Sequence, residues 1–165
     1  MSIVIYDIRS DIMRNSHIIG VMKIYMALII WLITLDAITK YWAENILSSQ
    51  IIIIPWLLSL EYARNIGIAF SIPLTGTLLK IVTVILIFGI FWYYWKEEKN
   101  KKSSLINFSY TLIFSGALWN AWERIFRGYV TDMISVEYFA IFNLADSYIT
   151  LWAIGIIYYY YRYTS

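Results

Sequence analysis

The sequence contains no cysteine and only one histidine, His17, among its 165 residues. Without cysteine the chain can form no disulfide, no thiolate metal site and no thiol nucleophile. A single histidine also excludes a histidine-based catalytic triad and a metal site built from several histidines. Any catalysis must therefore rest on other side chains, and we expect neither a metal nor a cofactor.

Net charge is small as well, at +2. Proteins that bind nucleic acid by charge usually present a basic face or stripe. Here the lysines and arginines are instead grouped in short segments, a pattern typical of membrane topology. We therefore expect no nucleic-acid partner.

What the sequence has in excess is apolar residues, which make up 61% of the chain. Soluble domains contain about 45–50% apolar residues. A small water-soluble fold could not bury this surplus, because its surface is large relative to its volume. The sequence therefore predicts a single integral membrane domain, residues 1–165, in contact with membrane lipids.

The apolar residues fall into stretches of the length that a membrane helix requires, about 20 residues. The third stretch carries several polar side chains, which in a span normally face other helices or a wet cavity. We predict an α-helical membrane protein with four transmembrane helices, at residues 23–42, 76–95, 105–122 and 147–163.

The lysine-rich segment 96–102 sets the orientation of these helices. It holds four lysines between the second and third predicted spans, and short basic loops stay in the cytoplasm. Four spans then place both termini in the cytoplasm and the loops 43–75 and 123–146 outside. This arrangement puts 8 of the 13 basic residues on the inner side.

Two further segments are too polar or too short to span. Residues 1–20 mix apolar and charged side chains and lack a small-residue cleavage site, so they predict a short cytoplasmic amphipathic segment. Four isoleucines at 51–54 precede Pro55, and this pattern predicts an outer β-hairpin at about residues 46–74. Such an apolar hairpin would lie on the lipid surface, cover a site, or serve only as structure.

Four acidic residues fall in or beside the spans, where a charge is costly and usually functional. The predicted topology places all four at the outer half of the membrane or its outer interface. Carboxylates at one depth could form a hydrolytic pair, a cation site or a proton relay. The four residues are Asp36, Glu123, Asp132 and Asp146.

Short polar blocks surround these acids. Asn65 and Gly67 combine an amide with a residue that permits close approach of a substrate backbone, and Asn143 is a predicted helix N-cap. The blocks are DAITK at 36–40, NIGIAF at 65–70, GALWNAWER at 116–124, GYVTDMI at 128–134 and FNLADS at 142–147. In this order they resemble the bacterial lipoprotein signal peptidase family, signal peptidase II, over nearly the whole chain.

The resemblance implies a four-helix fold with a small extracytoplasmic β-cradle in the bacterial cytoplasmic (inner) membrane. It implies an aspartic endopeptidase that cleaves diacylglyceryl-modified prolipoproteins before the lipidated cysteine. We further expect a monomer that is inhibited by peptides of the globomycin type.

By motif match, the resemblance makes Asp132 and Asp146 the catalytic pair. The family pattern usually has aspartate where this chain has Glu123, and often glycine where it has Trp119. The matching supporting and substrate-binding residues are Asp36, Lys40, Asn65, Gly67, Asn120, Glu123, Arg124 and Asn143.

Two nearby carboxyls can hydrolyse a peptide without a metal if they share one proton. We expect Asp146 to be the ionised member, because the amides at a helix N-terminus favour negative charge. Asp132 is expected on a loop that folds back towards it. Arg124 is expected to fix the arrangement through charge-assisted hydrogen bonds, and Asn65 to hold the substrate backbone.

Lys40 and Lys80 could extend to the outer headgroups, where solvation is their expected role. Two other functions remain open at this point. An ion-coupled carrier would use the same carboxylates as ligands, although the chain lacks the paired repeats common in carriers. A non-catalytic assembly protein would explain the apolar bulk but not the grouped Asp and Asn residues.

Overall fold

The computed structural model describes residues 2–67, 76–101 and 103–163, with side chains from residue 19 onward. Within these ranges four long helices are joined on one side by a small antiparallel sheet. The helices are α1 (Ser2–Asn45), α2 (Gly76–Tyr93), α3 (Ser104–Phe126) and α4 (Leu144–Tyr163), and the strands are β1 (Ile51–Ile54), β2 (Leu58–Asn65), β3 (Val130–Val136) and β4 (Ala140–Phe142).

Each predicted span lies within or largely within one of these helices, but two boundaries differ. The helix α1 continues back to Ser2, so the N-terminal segment is helical and continuous with the first predicted span, since Gly20 alone does not end a helix. Its cytoplasmic placement stays a prediction. The predicted loop 96–102 is helical as far as Lys101, through a π-helical turn at Tyr94–Glu98 and a 3-10 turn at Lys99–Lys101. The π-helical turn ends at the buried Glu98, which accepts a hydrogen bond from the Tyr160 hydroxyl of α4 at 2.5 Å. This bond fixes the turn against α4.

By length and composition, two helices of the described part are long and apolar enough to cross a membrane, at Ile19–Asn45 and Gly76–Lys101. Their outer surfaces fit that role. Large apolar side chains such as Ile30 and Phe88 are 62% and 68% exposed. Surfaces of this kind need lipid or another protein to cover them.

The tightest helix contact is between α3 and α4, and glycine makes it possible. A Cβ atom at Gly116 would lie 2.4 Å from the Ala145 carbonyl oxygen, and one at Gly155 would lie 2.3 Å from Ser109 Oγ. Small residues at a helix interface allow the backbones to approach closely. This contact holds the first turn of α4 against the middle of α3.

The sheet has the order β1-β2-β3-β4. The predicted hairpin is confirmed by β1 and β2, which turn at Pro55, and its predicted end, residues 68–74, lies outside the described residues. The strands β3 and β4 were not predicted. Because β3 pairs with both β2 and β4, it lies between Asn65 and the start of α4.

Candidate active site

Asp132 and Asp146 come together at one end of the helix bundle, on either side of Asn143. Asn143 Nδ2 donates to Asp132 Oδ1 at 2.7 Å, and the backbone N–H of Asn143 donates to Asp146 Oδ2 at 3.3 Å. Asp132 lies in β3 and is 2% exposed. The expectation that it lies on a loop was therefore wrong, because pairing of β3 with its neighbours fixes it in a sheet.

Asn143 also begins α4. Its Oδ1 accepts a hydrogen bond from the backbone N–H of Asp146 at 2.9 Å, while the Asp146 carboxylate accepts from the Asn143 N–H. This reciprocal pair is a capping box with aspartate at the third helical position. The predicted N-cap is confirmed, and the same cap fixes the carboxylate of Asp146.

Asn65 holds the other aspartate. Its Nδ2 donates to Asp132 Oδ2 at 2.9 Å, and its Oδ1 accepts from the Gly67 N–H at 3.0 Å. In the sheet Asn65 pairs with Val130, two residues from Asp132, so the register of β2 on β3 sets this contact. The amide that was expected to bind substrate is thus already bonded to the aspartate.

Burial raises the pKa of Asp132 to about 6, and the nearby charge of Asp146 adds to this increase. The hydrogen bonds from Asn65 and Asn143 act in the opposite direction, because they stabilise the charged form. Removal of the carboxylate from water is the largest cause. Asp132 therefore holds a proton at a pH where an ordinary aspartate has lost it.

Lys40 bonds Asn120, which in turn bonds Asp146, and it is only 2% exposed. Its Nζ contacts one oxygen each of Asp36, Glu123 and Asn120, all at 2.7 Å. The expectation that Lys40 extends to the outer headgroups was wrong, since three acceptors match the three N–H donors of the ammonium group. Lys80 donates at 2.9 Å to the Ile125 carbonyl at the end of α3.

The contacts of Lys40 reach Asp146 through Asn120. Because Asn120 Oδ1 accepts from Lys40, its Nδ2 is directed to Asp146 Oδ1, at 2.9 Å. Asp36 reaches the same helix by another route, since its Oδ1 accepts from the Ala145 N–H at 2.9 Å. Asp36 and Lys40, both from the block at 36–40, thus position the first turn of α4.

Glu123 takes a bridging position that its length permits. One carboxylate oxygen contacts Lys40, and the other accepts from Arg127 Nη1 at 2.8 Å. The N–H of Thr131, next to Asp132, also points to Glu123 Oε2 at 3.4 Å. The extra methylene of Glu123 relative to aspartate thus lets its carboxylate connect α3 with Lys40 on α1 and Thr131 on β3.

Sequence reasoning missed the polar cluster above Glu123. Arg127 bonds Glu44 at 2.6 Å and the hydroxyl of Tyr129, and the Thr131 hydroxyl donates to Glu44. Arg127 and Tyr129 lie in the turn after α3 and Thr131 lies on β3, whereas Glu44 lies on α1 and is remote from them in sequence. The one available signal was a second arginine one helical turn after Glu123.

Arg124 behaves differently from expectation, and Trp119 takes part in a ring stack. Arg124 makes no hydrogen bond to either aspartate among the described residues, and its buried Nε has no partner there; its charge acts on Asp146 and Asp132 through space. Trp119 stacks on Trp122, with ring centroids 4.9 Å apart and an interplanar angle of 5°.

No group of three or more His, Cys, Asp or Glu side chains in the described ranges is arranged to hold a metal ion. Instead, two carboxylates both accept from Asn143, and each also accepts from the amide of a second asparagine. Such a pair can share a proton, activate water and protonate a leaving group.

A family model described as signal peptidase (SPase) II matches residues 28–162. The chain belongs to this family. Its relatives include lipoprotein signal peptidases of Streptococcus thermophilus (strain CNRZ 1066), 39% identical over 74% of this chain and 82% of that protein, and of Streptococcus agalactiae serotype V, 42% identical over 78% and 83%.

A solved structure gives the same result at the level of the fold. The chain is similar to a bacterial membrane enzyme determined by the in meso method at 2.3 Å resolution, with a TM-score of 0.74 and 29% identity. The match covers 86% of this chain and 89% of that chain. The family resemblance seen in the five sequence blocks is therefore confirmed.

Proposed function

We propose that this protein is a membrane aspartic endopeptidase that removes signal peptides from diacylglyceryl-modified prolipoproteins, cleaving before the lipidated cysteine. The observation that carries the proposal is the contact of Asn143 with both Asp132 and Asp146. The relatives, which are lipoprotein signal peptidases, support the substrate class. Family membership also favours a peptidase over an ion-coupled carrier or an assembly protein.

In the proposed mechanism the two aspartates share one proton. The ionised carboxylate removes a proton from water, whose oxygen attacks the scissile carbonyl, while the protonated carboxyl donates a hydrogen bond to the carbonyl oxygen. The tetrahedral intermediate then collapses. The proton taken from water passes to the leaving amine, so the pair returns with one proton and no cofactor is needed.

Burial raises the pKa of Asp132 to about 6 and also raises the pKa of Asp146, so the pair retains a proton more readily than free aspartates do. We assign this proton to Asp132. Asp146 is the ionised member, because it accepts from Asn120 and from the Asn143 N–H in the first turn of α4, where helix amides favour an anion. The titration belongs to the pair as a whole.

The supporting residues act mainly by position. Lys40 and Asp36 fix α1 against α3 and α4, and Asn120 transmits the position of Lys40 to Asp146. Arg124 offsets the negative charge of the pair through space. Gly67 bonds to Asn65 and keeps its amide turned towards Asp132.

The proposed placement is in the bacterial cytoplasmic membrane, with four spans, both termini in the cytoplasm and the aspartates at the outer face. The sheet supports it, since its edge strand β1 consists of four exposed isoleucines followed by Trp56, which is 88% exposed. Aromatic and apolar side chains of this kind settle at a membrane interface. The cleavage point of a signal peptide lies at that same depth.

A lipidated substrate would then reach the aspartates laterally from the bilayer. The chain works as a monomer in this proposal, because all the groups named in the mechanism come from a single chain. Peptide inhibitors of the globomycin type would occupy the space in front of Asp132 and Asp146.

The test is a gel-shift assay with purified enzyme and a lipidated precursor. Asp132→Asn and Asp146→Asn should each reduce cleavage at least about 100-fold, the scale of acid–base catalysis, in a protein that remains folded. The matched control is Glu137→Gln, an exposed acid on the turn between β3 and β4. Full cleavage by either aspartate variant would overturn the mechanism.

A further inference from the structure

A long apolar groove runs between α1 and α2, on the face of α3 that points away from the aspartates. We call it the α1–α2 groove; its volume is about 760 Å³. Its walls are residues 22–29 of α1 and 84–95 of α2, and its floor is formed by residues 107–126 of α3. The 20 residues from 107 to 126 correspond to about 30 Å of helix, about the thickness of the hydrocarbon core.

The groove is separated from the candidate active site by α3 itself. Leu118 lines the groove, whereas Asn120 bonds Asp146. Residues two positions apart in a helix point about 160° away from each other around its axis. A peptide lying in the groove would therefore not present its scissile bond to the aspartates.

A signal-peptide helix with its side chains is about 10–12 Å across. Acyl chains, which are much thinner, match a narrow groove whose lining is almost wholly apolar.

Basic residues surround the end of the groove that is remote from the aspartates. Trp95 lines this end, and Lys99 Nζ lies 3.3 Å from the centroid of its ring. Lys96, whose Nζ lies 3.8 Å from Glu97 in an exposed ion pair, and Lys23, directly after the lining residue Met22, are exposed nearby. In the described part of the chain Lys99 has no carboxylate partner, so its charge is free to meet an anion.

We propose that the α1–α2 groove binds an anionic phospholipid, with acyl chain in the groove and phosphate at Lys99 and Lys96. Basic pockets between membrane helices recognise anionic headgroups in this way. The same lysines would repel the positively charged start of a signal peptide. Leu79 is the one buried residue of α2. The bound lipid therefore fills space beside a helix that has little protein packed against it.

The test is native mass spectrometry of the purified protein titrated with phosphatidylglycerol or phosphatidylcholine of identical chains. Phosphatidylglycerol should bind more tightly, and Lys99→Gln should weaken it about fivefold, the contribution of one lysine near a headgroup. Lys80→Gln, at the other end of α2, is the matched control for charge. Equal binding of the two lipids, or equal losses in the two variants, would overturn the headgroup assignment.

A second pair of variants tests the groove itself. Val84→Phe fills it from the α2 wall and should lower occupancy by both lipids, whereas Ile85→Phe, whose side chain is 63% exposed outside the groove, should not. Unchanged occupancy in Val84→Phe would refute the location. Displacement of lipid by a lipidated precursor would identify the substrate as occupant and would also overturn the proposal.

Discussion

Replacing Asn65 by leucine should shift the pH dependence of cleavage towards higher pH. Asn65 Nδ2 donates to Asp132 Oδ2 at 2.9 Å and so lowers the pKa of Asp132, which burial raises to about 6. The Asn65→Leu variant lacks this hydrogen bond, so the lowering of the Asp132 pKa is lost. The pKa of Asp132 should therefore rise further, and the shared proton should be retained to higher pH.

The size of the shift follows from the hydrogen bond. A bond to a charged group contributes about 1.5–3 kcal/mol when buried, and solvent reduces this at the half-buried Asn65. About 1.4 kcal/mol corresponds to one pKa unit, so the expected shift is about one unit. In the proposed mechanism kcat/KM falls when Asp132 loses its proton, so the descending limb should move from about pH 6 to about pH 7.

The assay is the initial rate of precursor cleavage at limiting substrate, measured across the pH range. Asn45→Leu is the matched control, since its exposed amide donates to the Tyr41 carbonyl and to neither aspartate. Its pH profile should equal that of the parent. A limb that stays in place or moves to lower pH in Asn65→Leu would refute the assignment of the proton to Asp132.

Three substitutions test the packing around the site, each by unfolding in detergent micelles. Lys40→Met leaves the buried Asp36 carboxylate without a cation and removes one of the two cations that contact Glu123, and it should cost about 3–5 kcal/mol of unfolding free energy. Arg127→Gln removes the 2.6 Å ion pair with Glu44, which is partly exposed, and should cost about 1–2 kcal/mol and slow cleavage. Gly116→Val places a methyl-bearing carbon against the Ala145 carbonyl and should cost at least about 1–3 kcal/mol.

Each substitution has a control of the same chemistry. The controls act on a half-buried lysine that bonds one backbone carbonyl, an exposed arginine of β2 and a helical glycine with open space around it. They should stay within about 0.5 kcal/mol of the parent protein. Equal losses in a variant and its control would contradict the corresponding contact. The controls are Lys80→Met, Arg64→Gln and Gly89→Val.

Several features could be read from the sequence because they depend on neighbouring residues. The isoleucine run before Pro55 gave the first hairpin, and Asn143 three residues before Asp146 gave the N-cap. The order of the five blocks gave the family, which the comparisons confirm. The four-span topology and the roles of Asp132 and Asp146 stay predictions.

Other features depend on contacts between distant segments. Lys40 looked like an interfacial lysine because one helix shows only its own polar and apolar faces; its acceptors come from α1 and from Asn120 and Glu123 on α3. The link from Glu44 through Arg127 to Thr131 likewise joins three elements. Local periodicity carries no information about such partners.

The sequence by itself determined that the chain lies in a membrane, because 61% apolar residues cannot be buried in a protein of this size. It also determined which acids could be functional, since charges inside apolar segments are costly. Only the tertiary structure decided that Asp132 lies on a strand beside Asp146. Strand pairing and the close contact of α3 with α4 bring these groups together, and both are long-range interactions that no local pattern encodes.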